Sequence, residues 1–65
     1  MTDIHSSAVV SPKAELGSDV TVGPYSIIEA DVQIGDGCKL ESSVLIASGA
    51  RIGKNVRVSH GVVIS

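Results

Sequence analysis

A branched aliphatic residue recurs at every sixth position of the chain: Ile4, Val10, Leu16, Val22, Ile28, Ile34, Leu40, Ile46, Ile52, Val58 and Ile64. Ile, Leu and Val fill only 20 of the 65 positions, so eleven hits without a miss reflect patterning rather than composition. Internal repetition of this kind constrains a fold more than any local signal. An α-helix turns once in 3.6 residues, and a six-residue repeat would wind its apolar stripe around the whole cylinder. Six residues do accommodate a short strand followed by a corner.

A second set of small or β-branched residues lies four positions after each aliphatic: Ala8, Ala14, Val20, Ser26, Val32, Cys38, Val44, Ala50, Val56 and Val62. Alternate strand residues share a face, so each of these points the same way as the next aliphatic, two positions on. The residue between them points outward. Corner chemistry follows. Gly occupies the position after the aliphatic at 17, 23, 35 and 53, and two further on come Asp19, Asp31, Gly37, Gly49, Asn55 and Gly61, residues that tolerate positive φ. Pro12 and Pro24 also fall at corners, where a missing N–H harms no ladder.

The outward residues carry a longer period. They run Val9, Glu15, Thr21, Ile27, Gln33, Lys39, Leu45, Arg51, Arg57, Val63, and every third one is apolar. Three hexapeptides therefore close one coil of 18 residues, and the chain is expected to be all-β, a triangular parallel β-helix of about 3.6 coils. One of its three faces is apolar outside as well as inside. A column of exposed aliphatics on a polar solenoid marks a contact surface, so Val9, Ile27, Leu45 and Val63 are the expected subunit interface.

Composition narrows the functions. Tyr25 is the sole aromatic residue and Phe and Trp are absent, so a compact globule of this length would lack bulk for its core, whereas stacked columns of aliphatics avoid the problem. The formal net charge of −2, with both signs interspersed, disfavours nucleic acid and a polybasic membrane anchor. The sequence contains no apolar run long enough to span a membrane, and Met1-Thr2-Asp3 does not begin a signal peptide. Cys38, the one cysteine, occupies an inward position and reads as a buried core thiol in a protein of a reducing compartment. Solenoids need capping at their ends. The chain stops at Ser65 in an unfinished coil, so residues 1–65 are expected to form a single β-helix segment at the N-terminus of something longer, or a unit that stacks on other chains.

The hexads resemble those of the hexapeptide transferase family, and the left hand expected for the helix comes from that resemblance, against the usual right-handed crossover. Within the family the chain is most similar to the start of the UDP-N-acetylglucosamine O-acyltransferases of lipid A biosynthesis. The similarity rests on Ile4-His5, Ala8-Val9-Val10, Ile34-Gly35-Asp36-Gly37 and Leu40-Glu41-Ser42-Ser43-Val44. Its most specific part is Val22-Gly23-Pro24-Tyr25-Ser26-Ile27-Ile28, which resembles the IGPF segment of those enzymes. The sister N-acyltransferases carry similar coils after a separate N-terminal domain, whereas here the coils begin at the initiator. The resemblance implies a cytoplasmic homotrimer that moves a 3-hydroxyacyl group from acyl carrier protein to UDP-N-acetylglucosamine. A histidine would act as general base in a cleft between prisms, with no metal or other cofactor. It also implies that the catalytic coil and the main sugar-nucleotide contacts lie beyond this segment, which alone would be inactive. Two alternatives remain open: a structural, self-assembling β-solenoid module, and a fragment of a hexapeptide sugar acetyltransferase using acetyl-CoA.

Within the chain, His60 is the one candidate base: it stands at a corner in Val58-Ser59-His60-Gly61-Val62, the place that the family's base holds in a later hexad. That difference in coil means that no catalytic residue is expected here. His5 and His60 lie about three coils apart, roughly 14 Å, too far to share the ~2 Å bonds of a zinc ion. Gly35-Asp36-Gly37 opens no helix and reads as a corner rather than a phosphate cradle. Lys39 and Arg57 share one outward column, where they could attract an acidic carrier protein and should repel each other mildly.

Overall fold

The computed structural model describes residues 2–65. Every regular element among them is a two-residue strand: β1 (Asp3–Ile4), β2 (Val9–Val10), β3 (Glu15–Leu16), β4 (Thr21–Val22), β5 (Ile27–Ile28), β6 (Gln33–Ile34), β7 (Lys39–Leu40), β8 (Leu45–Ile46), β9 (Arg51–Ile52), β10 (Arg57–Val58) and β11 (Val63–Ile64). Each strand consists of one outward residue and the aliphatic of the hexad. Strands of this length have no stability of their own. They persist because each is laddered to equivalent strands in the coils above and below.

Three parallel sheets result, β1-β4-β7-β10, β2-β5-β8-β11 and β3-β6-β9, and they form the three sides of the prism. Registers such as Ile28↔Ile46 and Ile34↔Ile52 stack each aliphatic on its equivalent 18 residues later, as the sequence period requires. Backbone N–H groups of one coil donate to carbonyls of the next, for example Asp3 N to Val20 O at 2.8 Å and Gly35 N to Ile52 O at 2.8 Å. The extents are 22 × 20 × 19 Å, so the solenoid is about as wide as it is tall.

The core fills the prism axis. Val22, Ile28, Ile34, Leu40, Ile46, Ile52 and Val58 are buried together with Val20, Val32, Cys38 and Val44. Burial fades in the outermost coils: Ile4 is 42% exposed and Val56 38% exposed. Ser26 is the one polar side chain fully buried among the described residues. Its hydroxyl donates to Glu41 O at 2.9 Å and accepts from Val44 N at 3.3 Å, so the buried oxygen is satisfied.

The corners adopt positive φ more often than residue type suggests. Asp19, Asp31, Asn55, Gly37, Gly49 and Gly61 do so as expected, but so do Tyr25 (φ 60°) and Ser43 (φ 57°). These two stack with Gly61 in one corner column. The ladder bonds Ser43 N to Pro24 O (2.9 Å) and Gly61 N to Ser42 O (3.1 Å) hold that column in register. Coil stacking overrides the local preference of a tyrosine, for which a left-handed φ is a real outlier.

Candidate functional site

The outward residues of the three sheets form three different surfaces. On the sheet β2-β5-β8-β11, the registers Val9↔Ile27, Ile27↔Leu45 and Leu45↔Val63 make one unbroken aliphatic column. Val9 is 61% exposed, Ile27 44% and Val63 63%, while Leu45 between them is half-buried. The alternation that sends Ile28 and Ile46 inward sends Ile27 and Leu45 out.

On the sheet β1-β4-β7-β10, Lys39 and Arg57 stack in register, as the sequence suggests. Their mutual repulsion is relieved by a partner that the column alone does not reveal. Arg57 bends to Glu41, with Nη2 at 2.9 Å and Nε at 3.0 Å from the same carboxylate oxygen. The pair is exposed, so it contributes little to stability, but it leaves Glu41 without an uncompensated charge.

The third sheet, β3-β6-β9, borders a groove. Glu15, Gln33 and Arg51 line this groove of about 440 Å³ together with Gly17, Gly35 and Gly53. Two of these glycines are needed for close stacking: a Cβ at Gly35 would lie 2.8 Å from the Gly53 backbone, and one at Gly17 would meet the Asp36 side chain, whereas Gly53, in the last coil, has open space beside it. The Asp36 carboxylate takes that space and accepts Ser18 N–H at 2.8 Å. Sequence reasoning assigned these glycines to corners one by one. Their spacing of 18 residues is the signal in the sequence for a bare strip along the prism.

His60 is an exposed turn residue, and no hydrogen bond orients its ring. His5 is also exposed. Its Nδ1 lies 2.8 Å from Ser7 Oγ and accepts the Ser7 N–H at 3.1 Å, while Ser7 Oγ accepts Tyr25 N–H at 3.1 Å. That chain of bonds ties the first corner to the second coil, which is a structural duty. Cys38 is buried, and its thiol donates to Gly53 O at 2.9 Å. Among the described residues no group of three or more His, Cys, Asp or Glu could hold a metal ion, and no helix is long and apolar enough to cross a membrane.

The comparisons with known proteins agree with the repeat geometry. The family of bacterial transferase hexapeptides (six repeats) matches residues 13–47 and 31–65. Among solved structures, the Arabidopsis UDP-N-acetylglucosamine acyltransferase is similar at 42% identity and a TM-score of 0.90, over 92% of this chain and 21% of that enzyme. LpxA from Acinetobacter baumannii is similar at 48% identity and a TM-score of 0.81, over 83% of this chain and 21% of that protein. The chain thus spans about a fifth of the length of either. No curated protein sequence matches it. The hexapeptide repeats give the prism its left hand, so the fold is a left-handed parallel β-helix. With every inward column, corner and strand ladder of the repeat in place, the chain belongs to the bacterial transferase hexapeptide family.

Proposed function

We propose that this chain is the N-terminal scaffold of a cytoplasmic acyltransferase that moves a 3-hydroxyacyl group from acyl carrier protein to UDP-N-acetylglucosamine, the first step of lipid A biosynthesis. The observation that supports this most is the identity of 42% with the Arabidopsis enzyme, maintained over 92% of the chain. Several acyltransferase classes share the fold, and identity at this level over matched coils favours the enzyme over an unrelated solenoid module. On this reading the segment supplies one wall of a homotrimer through Val9, Ile27, Leu45 and Val63, and the catalytic coil lies in a later part of the polypeptide.

A chimera tests the proposal. Residues 1–65 would replace the matching first coils of the Acinetobacter baumannii protein, and the product would be assayed with a 3-hydroxyacyl carrier-protein thioester and UDP-N-acetylglucosamine. Activity within about tenfold of the parent is expected, since each tenfold step is about 1.4 kcal/mol in transition-state stabilisation. A folded chimera that accepts acyl-CoA and refuses the carrier-protein thioester would overturn the donor assignment in favour of an acetyltransferase. Residues 1–65 alone should show no turnover; measurable transfer would place a base within this segment, and His60→Gln would identify it.

A further inference from the structure

The outward column of the third sheet is ordered in charge along the prism. Its registers Glu15↔Gln33 and Gln33↔Arg51 set a carboxylate, a neutral amide and a guanidinium on successive coils, about 4.8 Å apart. All three side chains are exposed, and among the described residues no hydrogen bond or ion pair holds any of them. Glu41 and Arg57 satisfy each other. Glu15 and Arg51 do not, because Gln33 stands between them and keeps them two coils apart. An anion and a cation are thus offered at opposite ends of the groove of about 440 Å³, and the glycine strip beside them leaves their long side chains room to lie over.

Such a column is its own complement. Two copies can meet through this face about a twofold axis that lies between the faces. An axis parallel to the prisms sets each coil on its equivalent, so Glu15 faces Glu15 and Arg51 faces Arg51, and like charges oppose each other. An axis along the strands turns the second prism end for end. Placed at the level of Gln33, it brings Glu15 of each copy to Arg51 of the other. Gln33 then meets Gln33, and two amides, each with donor and acceptor, answer one another. At any other level along the column a charge meets an amide or its own kind.

The corners fit the same operation, which preserves position along the strand. Lys54, at the third-coil corner after β9, comes to the first-coil corner after β3 that carries Ser18 and Asp19. Asp31 and Asp36 meet their own equivalents only at the two rims, where triangular prisms slope apart and water and salt screen the charges. The Asp36 carboxylate is in addition turned along its own prism to Ser18 N–H, at 2.8 Å.

We propose that this face pairs with the same face of a second copy, prisms antiparallel, through two reciprocal Glu15–Arg51 ion pairs on either side of a Gln33–Gln33 contact. No extent of the molecule exceeds 22 Å, so the contact is smaller than a standard interface, weak and salt-sensitive. It does not use the apolar column, and it goes beyond the proposed function.

Covalent capture tests a contact of this strength. Packed sheets stand about 10 Å apart, the reach of a short bis-maleimide, and Gln33→Cys places one thiol of each copy on the axis. Cys38 is buried and is spared. At low salt, Gln33→Cys should give linked dimer at least about tenfold faster than Thr21→Cys, an equally exposed position on another sheet, and added salt should remove the advantage. Within the Gln33→Cys chain, Glu15→Arg alone or Arg51→Glu alone should slow linking about fivefold or more, since each opposes like charges. The two together should restore the rate to within about threefold, because the exchanged column is again its own complement. Single reversals without effect, or a double exchange as slow as either single, would overturn the pairing. Equal rates for Gln33→Cys and Thr21→Cys would leave the groove to an occupant other than this chain. The linked dimer should persist in an Ile27→Glu background; its loss there would assign the link to the apolar column and overturn this contact, while a persisting dimer says nothing against association through that column.

Discussion

Ser26 shows how tightly a single residue is constrained in a hexapeptide coil. Equivalent inward positions are Ala8, Val44 and Val62, and a hydroxyl among them would be costly if unmatched. Its two bonds, to Glu41 O and from Val44 N, join adjacent coils across a corner, standing in for the direct turn bond that closes other corners, such as Ala8 N to His5 O. Ser26→Ala removes both and strands a buried N–H and a carbonyl, so it should cost about 1–3 kcal/mol. The measurement is the urea midpoint at unchanged m-value; a variant as stable as the parent would mean that water or a shifted backbone supplies the missing partners. The corners show how far residue type reaches. Asp19, Asp31, Asn55 and the three corner glycines with positive φ announce their conformation chemically. Tyr25 and Ser43 do not, because their φ is imposed by stacking on neighbouring coils and no feature of either side chain requires it. Ser43→Gly should therefore stabilise the chain slightly and Ser43→Val should destabilise it by about 1–2 kcal/mol.

At the scale of the element, the unit is the column rather than the strand. A two-residue strand offers one inward aliphatic, and its burial depends on coils above and below it. Ile46 has both and is 0% exposed, whereas Ile64, its equivalent one coil later, is only partly buried. Ile46→Ala should cost about 2–5 kcal/mol and Ile64→Ala distinctly less in this chain, a gradient that denaturant titration of the two variants would resolve. Equal losses would contradict the burial gradient from centre to end. The aliphatic and outward columns were legible in the sequence because side-chain alternation and the 18-residue period are both strict. The groove beside Glu15, Gln33 and Arg51 was not, because it is built from missing side chains, and glycines at corners already had a sufficient explanation. The Arg57–Glu41 pair was also hidden, since one partner stands on the face and the other at its corner in the adjacent coil.

The whole molecule turns one strict alternation into two surfaces, a dry axis and an apolar outer column, separated by a single peptide unit. Ile27 and Ile28 are chemically identical neighbours, yet Ile27 is 44% exposed and Ile28 1% exposed. A carboxylate at position 27 stays in water unless another molecule covers it; at position 28 it enters the prism with no cation beside it. Ile28→Glu should exceed what a chain of this length can absorb, given a total stability of about 3–10 kcal/mol, and the variant should lose its β-sheet circular dichroism. Ile27→Glu should retain that spectrum and weaken the self-association proposed for the outer column, because the charge would be buried in the contact. A one-residue slip in strand register would exchange the two outcomes, since it turns every side chain to the opposite face. The pair of variants, read by circular dichroism and sedimentation together, thus separates a failure of the fold from a failure of the contact: both unfolded would mean that the outer column is part of the core, and both folded and assembled would mean that neither face is closed.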